Sequence, residues 1–123
     1  MPKYMLILRG EESPEPTEFS PEEMQAILRQ YEAWAGGLAQ QGRLLDGQKL
    51  TDGDGRVMVP GAGDAVSVKD GPFQETKEVI GGFYLIRADS YDHAVKLCQG
   101  HPNFRFGSIE VREIDLMGQP DDA

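Results

Sequence analysis

The segment DGPFQETKEVIGGFYLIR, Asp70 to Arg87, joins two kinds of sequence whose combination decides the fold. Its first half packs a turn dipeptide, a proline, a lone aromatic and four charged residues into nine positions. Its second half, residues 79–87, is the longest strand expected in the chain, with Gly81-Gly82 permitting a bulge or a tight approach. Strand side chains alternate between faces, so Phe83 and Leu85 share one side while Tyr84 and Ile86 share the other. Both sides are apolar. The run at residues 4–9 repeats this property, with Met5 and Ile7 opposed to Tyr4, Leu6 and Leu8.

Working outward, the clearest local signal is Ser20-Pro21-Glu22-Glu23. It places an N-cap serine, a proline at the first helical position and a glutamate at the third, which is a capping box. Phe19 and Met24 are spaced as a hydrophobic staple across it. Apolar residues then recur at Met24, Ile27, Leu28, Tyr31, Trp34, Ala35 and Leu38, the spacing of one buried helical face. Gly42 stops the helix. Gly36-Gly37 inside it reads either as tolerated weakness or as a close approach by another backbone. A second helix is capped by Ser90, with apolar positions Tyr91, Ala94, Val95 and Cys98, and ends before Gly100 and Pro102.

Further strands are expected at residues 43–50, 56–59, 65–69 and 108–116, with turns at Asp52-Gly53-Asp54-Gly55 and at residues 60–63. The 56–69 pair reads as an inserted hairpin. Without it, the order is βαββαβ, a ferredoxin-like α+β plan. Two helices cover one face of such a sheet, which leaves the second apolar face open. A second copy is its simplest cover, so a homodimer is expected. One domain over residues 1–117 and a flexible tail over 118–123 complete the organisation.

With 123 residues, 39% hydrophobic and 27% charged, the chain is ordinary for a soluble globular domain. The net charge of −9 argues against non-specific nucleic-acid binding, which needs Lys and Arg to neutralise phosphates. No apolar run is long enough for a bilayer, so no membrane partner is expected. Residues 1–9 read as a first strand and not as a signal peptide. The single Cys98 fits a reducing compartment, and a cytoplasmic location is the default. No cofactor is expected. The spacing Asp46…Asp52-Gly53-Asp54 lacks the pattern and terminal glutamate of a calcium loop, so no metal site is read there.

The segment DGPFQETKEVIGGFYLI, with Gly107-Ser108-Ile109-Glu110-Val111-Arg112, closely resembles the DGPF subgroup of YCII-related proteins over nearly the whole chain. The resemblance implies a ferredoxin-like protomer in a dimeric α+β barrel, the two sheets meeting face to face. Members are mostly uncharacterised bacterial proteins, some proposed as enzymes, and DGPF members are often encoded beside extracytoplasmic-function sigma factors. In the broader family a His on the first helix and an Asp before a proline form the active-site pair. The matching positions here are Tyr31 and His101, before Pro102, so both have changed type and the His–Asp role does not carry over. What remains is a Tyr31–His101 pair, with His101 able to titrate near neutrality.

The candidate catalytic residues are therefore His101, Tyr31 and Asp70, each against a bland alternative: an idle loop histidine, a core tyrosine, a turn aspartate. Candidate ligand-binding residues are Phe73, Lys77, Glu78, Glu110 and Arg112, with Glu75 beside them. On the last strand Glu110 and Arg112 share a face opposite Ile109 and Val111. They serve either as a salt bridge or as a polar pocket. Two functions fit: a cofactor-independent enzyme doing acid/base, lyase or isomerase chemistry on a small molecule, or a binding module that contacts a ligand or a sigma factor, with the 50–68 hairpin as the protein-facing surface.

Overall fold

The computed structural model describes residues 1–10, 19–71 and 79–119. Its elements are β1 (Lys3–Gly10), α1 (Pro21–Gln40), β2 (Leu44–Lys49), β3 (Arg56–Pro60), β4 (Val66–Asp70), β5 (Val79–Arg87), α2 (Tyr91–Cys98), a 3₁₀ turn (Pro102–Arg105) and β6 (Gly107–Glu113). Four strands form one antiparallel sheet in the order β2-β5-β1-β6. This is the strand order of a ferredoxin-like α+β fold, and the β3–β4 hairpin lies outside that sheet, each strand pairing, among the described residues, with the other alone.

The capping box expected before α1 is present: Ser20 Oγ accepts from the Glu23 N–H at 3.1 Å, and Glu23 accepts from the Ser20 N–H at 3.4 Å. Phe19 sets its ring edge-on to Phe106 at 5.8 Å. Gly42, at φ +72°, takes the left-handed turn that ends the helix. Gly36 and Gly37 have nothing within 4 Å of a would-be Cβ among the described residues. The close approach entertained for them is absent.

Register explains the core. Leu6 pairs with Tyr84 and Val111, and Tyr4 with Ile86, on the same face of the sheet. These side chains meet Leu38 from α1 and Ala94 and Cys98 from α2. Tyr4, Leu6 and Ile86 are fully buried, and each such side chain contributes about 1.5–3 kcal/mol. Both helices therefore cover this one face. Met5, Ile7, Phe83 and Leu85 emerge on the other and are only half-buried. Of the described segments, residues 114–119 flank one corner of it, beside Lys3 and Leu85.

Gly81 is the extra residue of a bulge: Leu8 pairs with Gly82 and Arg9 with Ile80. Gly82 meets β2 closely, its would-be Cβ only 2.7 Å from the Gln48 carbonyl oxygen. At Gly107 a Cβ would collide with the Arg9 carbonyl, so β1 and β6 cross here only through glycine. Two expectations move. The last strand stops at Glu113, short of residue 116, and a 3₁₀ turn the sequence reading lacked occupies Pro102–Arg105. Of the tail, the Gln119 N–H closes a turn onto the Leu116 carbonyl; the expected flexibility of residues 120–123 lies outside the described residues. No described helix is long and apolar enough to cross a membrane.

Candidate functional site

Three elements converge on one aromatic cluster. Trp34 and Tyr31, three residues apart on α1, lie on the helical face that meets the sheet; Tyr84 rises from β5, and His101 opens the 3₁₀ turn after α2. The His101 ring meets Trp34 at 4.7 Å, Tyr31 at 4.9 Å and Tyr84 at 5.5 Å between centroids, all edge to face. Trp34 also tilts against Tyr84 at 4.8 Å, while its indole N–H donates to the Leu97 carbonyl at 2.8 Å. Quadrupoles favour such edge-on contacts over stacked sandwiches.

His101 is 3% exposed, so the idle surface histidine is not what the fold contains. Its Nδ1 accepts the Asn103 backbone N–H at 3.0 Å, which closes the 3₁₀ turn, and its Nε2 lies 3.2 Å from the Tyr84 hydroxyl. A neutral imidazole carries one N–H, and Nδ1 is already an acceptor. Nε2 must therefore hold the proton and donate it to Tyr84 Oη. Burial lowers the His101 pKa to about 4, so the titration near neutrality expected of it does not occur. Burial also pushes Tyr84 up to about 12, helped by Tyr31, and raises Tyr31 itself. Both phenols stay protonated.

Beside this cluster a cavity of about 420 Å³ opens between α1, the bulged end of β5 and the end of β2. Tyr31 and Tyr84 line it together with Met24, Ile27, Leu28 and Gly82. Its walls are mostly apolar. Arg9 and Lys49 also line it, but each cation has a carboxylate partner: Arg9 with Glu110 at 2.9 Å, Lys49 with Asp52 at 3.1 Å. Gly47 makes room for the Tyr84 ring, since a Cβ there would lie 2.7 Å from Cδ1.

The predicted residues divide cleanly. Tyr31 and His101 come together as expected, yet as a ring contact; the hydrogen bond of His101 goes to Tyr84 instead. Asp70 does not join them. Because β4 pairs, among the described residues, with β3 alone, it carries Asp70 away with the hairpin, where its carboxylate is 91% exposed and 3.4 Å from Arg56. Glu110 and Arg112 lie on the sheet face away from the helices, as their alternation with Ile109 and Val111 implied. There Glu110 bridges Arg9 and Arg112 at 2.9 and 3.2 Å, and those hydrogen bonds, Arg112 foremost, hold its carboxyl below the usual range. Phe73, Glu75, Lys77 and Glu78 lie outside the described residues.

Sequence reasoning missed Trp34, Tyr84 and Asn103 as parts of this site. Trp34 and Tyr84 were legible only as apolar members of a helix face and a strand, although a phenol inside an aliphatic strand signals that its hydroxyl needs a partner. Asn103 had no signal. It is buried, and its amide donates to the carbonyls of Arg9 and Ser108 at 3.3 and 2.8 Å, tying the 3₁₀ turn to β1 and β6. Cys98 is a buried thiol pushed up to about 11, inert as expected of a small core residue.

A solved structure similar to this chain is a 5-chloro-2-hydroxyhydroquinone dehydrochlorinase from Burkholderia phenoliruptrix in complex with 2,5-dihydroxybenzoquinone, 15% identical, covering 92% of this chain and 93% of that one at a TM-score of 0.45. A likeness of that depth says nothing of this chain's chemistry. An uncharacterized protein of Rhizobium meliloti is 32% identical over 100 residues, 80% of this chain and 81% of the relative. The YCII-related domain matches residues 3–117, almost the full length. The chain belongs to the YCII-related domain family.

Proposed function

We propose that this protein binds a small organic molecule in the cavity between α1 and β5, and does so as a homodimer. The observation that carries the binding reading is the cavity itself: about 420 Å³, apolar, with two protonated phenols on its wall. Small-molecule sites have this character, apolar surface with a few placed polar groups. The chemistry on offer is hydrogen bonding and polarisation, because His101, Tyr31 and Tyr84 are all moved away from neutrality.

Pairing with a second copy rests on the other side of the sheet. Met5, Ile7, Phe83 and Leu85 form an apolar stripe with no described helix over it, bordered by the Arg9–Glu110–Arg112 network. Burying that stripe against its twin removes it from water without a heterologous partner.

Two measurements test the reading. Saturation-transfer NMR against a fragment set should give binders that are lost in Leu28→Trp, a substitution at a 55% exposed cavity-lining position that fills the space without disturbing the core. Fragment binding indifferent to that change removes the cavity from consideration. Light scattering should return twice the 13.6 kDa chain mass, and Phe83→Glu should return the single mass. A wild-type protomer that stays single at micromolar concentration ends the dimer proposal.

A further inference from the structure

The hydrogen-bond donors and acceptors around Tyr84 bear on what the cavity holds. The Tyr84 oxygen takes the N–H of His101, which leaves the phenol's own proton to be given elsewhere. Among the described residues none accepts it: the Trp34 indole carries a donor only, spent on Leu97, and the Tyr84 hydroxyl has no hydrogen-bond partner besides His101. Tyr31 brings a second hydroxyl to the same cavity with no acceptor among the described residues. Tyr31 and Tyr84 are half-buried, and an occupant that displaces water from their hydroxyls without supplying an acceptor incurs a cost, so whatever fills the cavity is selected for supplying one.

The charge of the occupant follows from the same walls. Of the two described cations lining the cavity, Arg9 is bound to Glu110, a carboxylate it shares with Arg112, and Lys49 is bound to Asp52, so an anion in the cavity would compete with a carboxylate for either. An apolar wall penalises an unpaired charge heavily.

We propose that the cavity selects uncharged small molecules bearing a carbonyl oxygen, which accepts from the Tyr84 and Tyr31 hydroxyls, and that His101 is a positioning residue acting through Tyr84. This rests on the cavity being the binding site. Burial keeps both phenols protonated, so they act as donors. The imidazole, pinned by the Asn103 N–H on one side, holds the Tyr84 oxygen from the other and aims its proton into the cavity.

The test uses the full chain with acetophenone, which carries the acceptor, and ethylbenzene, which has nearly the same shape without it. Tyr84→Phe should weaken acetophenone about three- to tenfold while ethylbenzene stays within about twofold. The carbonyl stretching band of bound acetophenone should sit at lower wavenumber in the wild type than in Tyr84→Phe. His101→Gln, whose amide nitrogen stands where Nε2 stood, should keep that band shift. His101→Asn retains the acceptor for Asn103 but falls short of Tyr84, and should lose part of it. If Tyr84→Phe weakens both probes equally, or the band is unmoved, the donor assignment is overturned while the cavity survives. If neither probe binds, both fall.

Discussion

Acid should destabilise this protein through one ring. His101 is buried and neutral, with a pKa of about 4, against 6.5 for the same side chain in water. Below pH 6.5 the unfolded chain takes up a proton that the folded chain refuses, so the stabilisation is complete above that pH and is lost as pH falls toward 4. Linkage puts the loss from this residue at about 2 kcal/mol by about pH 5. The rings packed on it, Tyr31, Trp34 and Tyr84, carry no charge in that range and do not blur the signal. The perturbation is His101→Gln, which cannot titrate. Urea unfolding of both proteins from about pH 7 to about pH 5 removes every shared contribution when the curves are subtracted. The wild-type midpoint should fall by roughly 1 M more than that of the variant, taking about 2 kcal/mol per molar for a chain of this size. Parallel curves would refute the reasoning, because they require a ring that charges as easily folded as unfolded.

Other perturbations follow from single contacts. Asn103→Ala strips the donor from the Arg9 and Ser108 carbonyls and should cost about 1–3 kcal/mol in urea unfolding, with Phe106 and its partner Phe19 loosened in NMR spectra. Gly47→Ala drives a Cβ into the Tyr84 ring, should cost about 1–3 kcal/mol, and should change the near-UV circular dichroism of the aromatic cluster. Gly36→Ala meets open space on an exposed helical position and should instead raise stability by about 0.5–1 kcal/mol in thermal unfolding.

Where sequence reading succeeded, the information was local. The α1 cap needs only Ser20, Pro21 and Glu23, and the helix forms where they place it. The β5 bounds, Val79–Arg87, fell where the charges gave way to the apolar run. The hairpin's separateness followed from its turns at both ends. Failures came where a residue's role depended on partners far along the chain. Asp70 read as a site residue because it opens a dense motif, and only strand pairing revealed that it leaves with β4. His101 read as a titrating loop histidine because nothing near it in sequence announces burial; Tyr31 and Trp34 arrive from about seventy residues away.

By itself, then, the sequence determined the order of elements, the βαββαβ plan and the two-sided greasiness of β1 and β5, since each follows from propensity, capping and alternation within a few residues. Only the tertiary structure decided which face the helices take, which ring nitrogen of His101 carries the N–H and that the Tyr84 oxygen accepts its hydrogen bond. Those outcomes depend on distances and dielectric between segments that meet only after the chain has folded, and no local pattern encodes them.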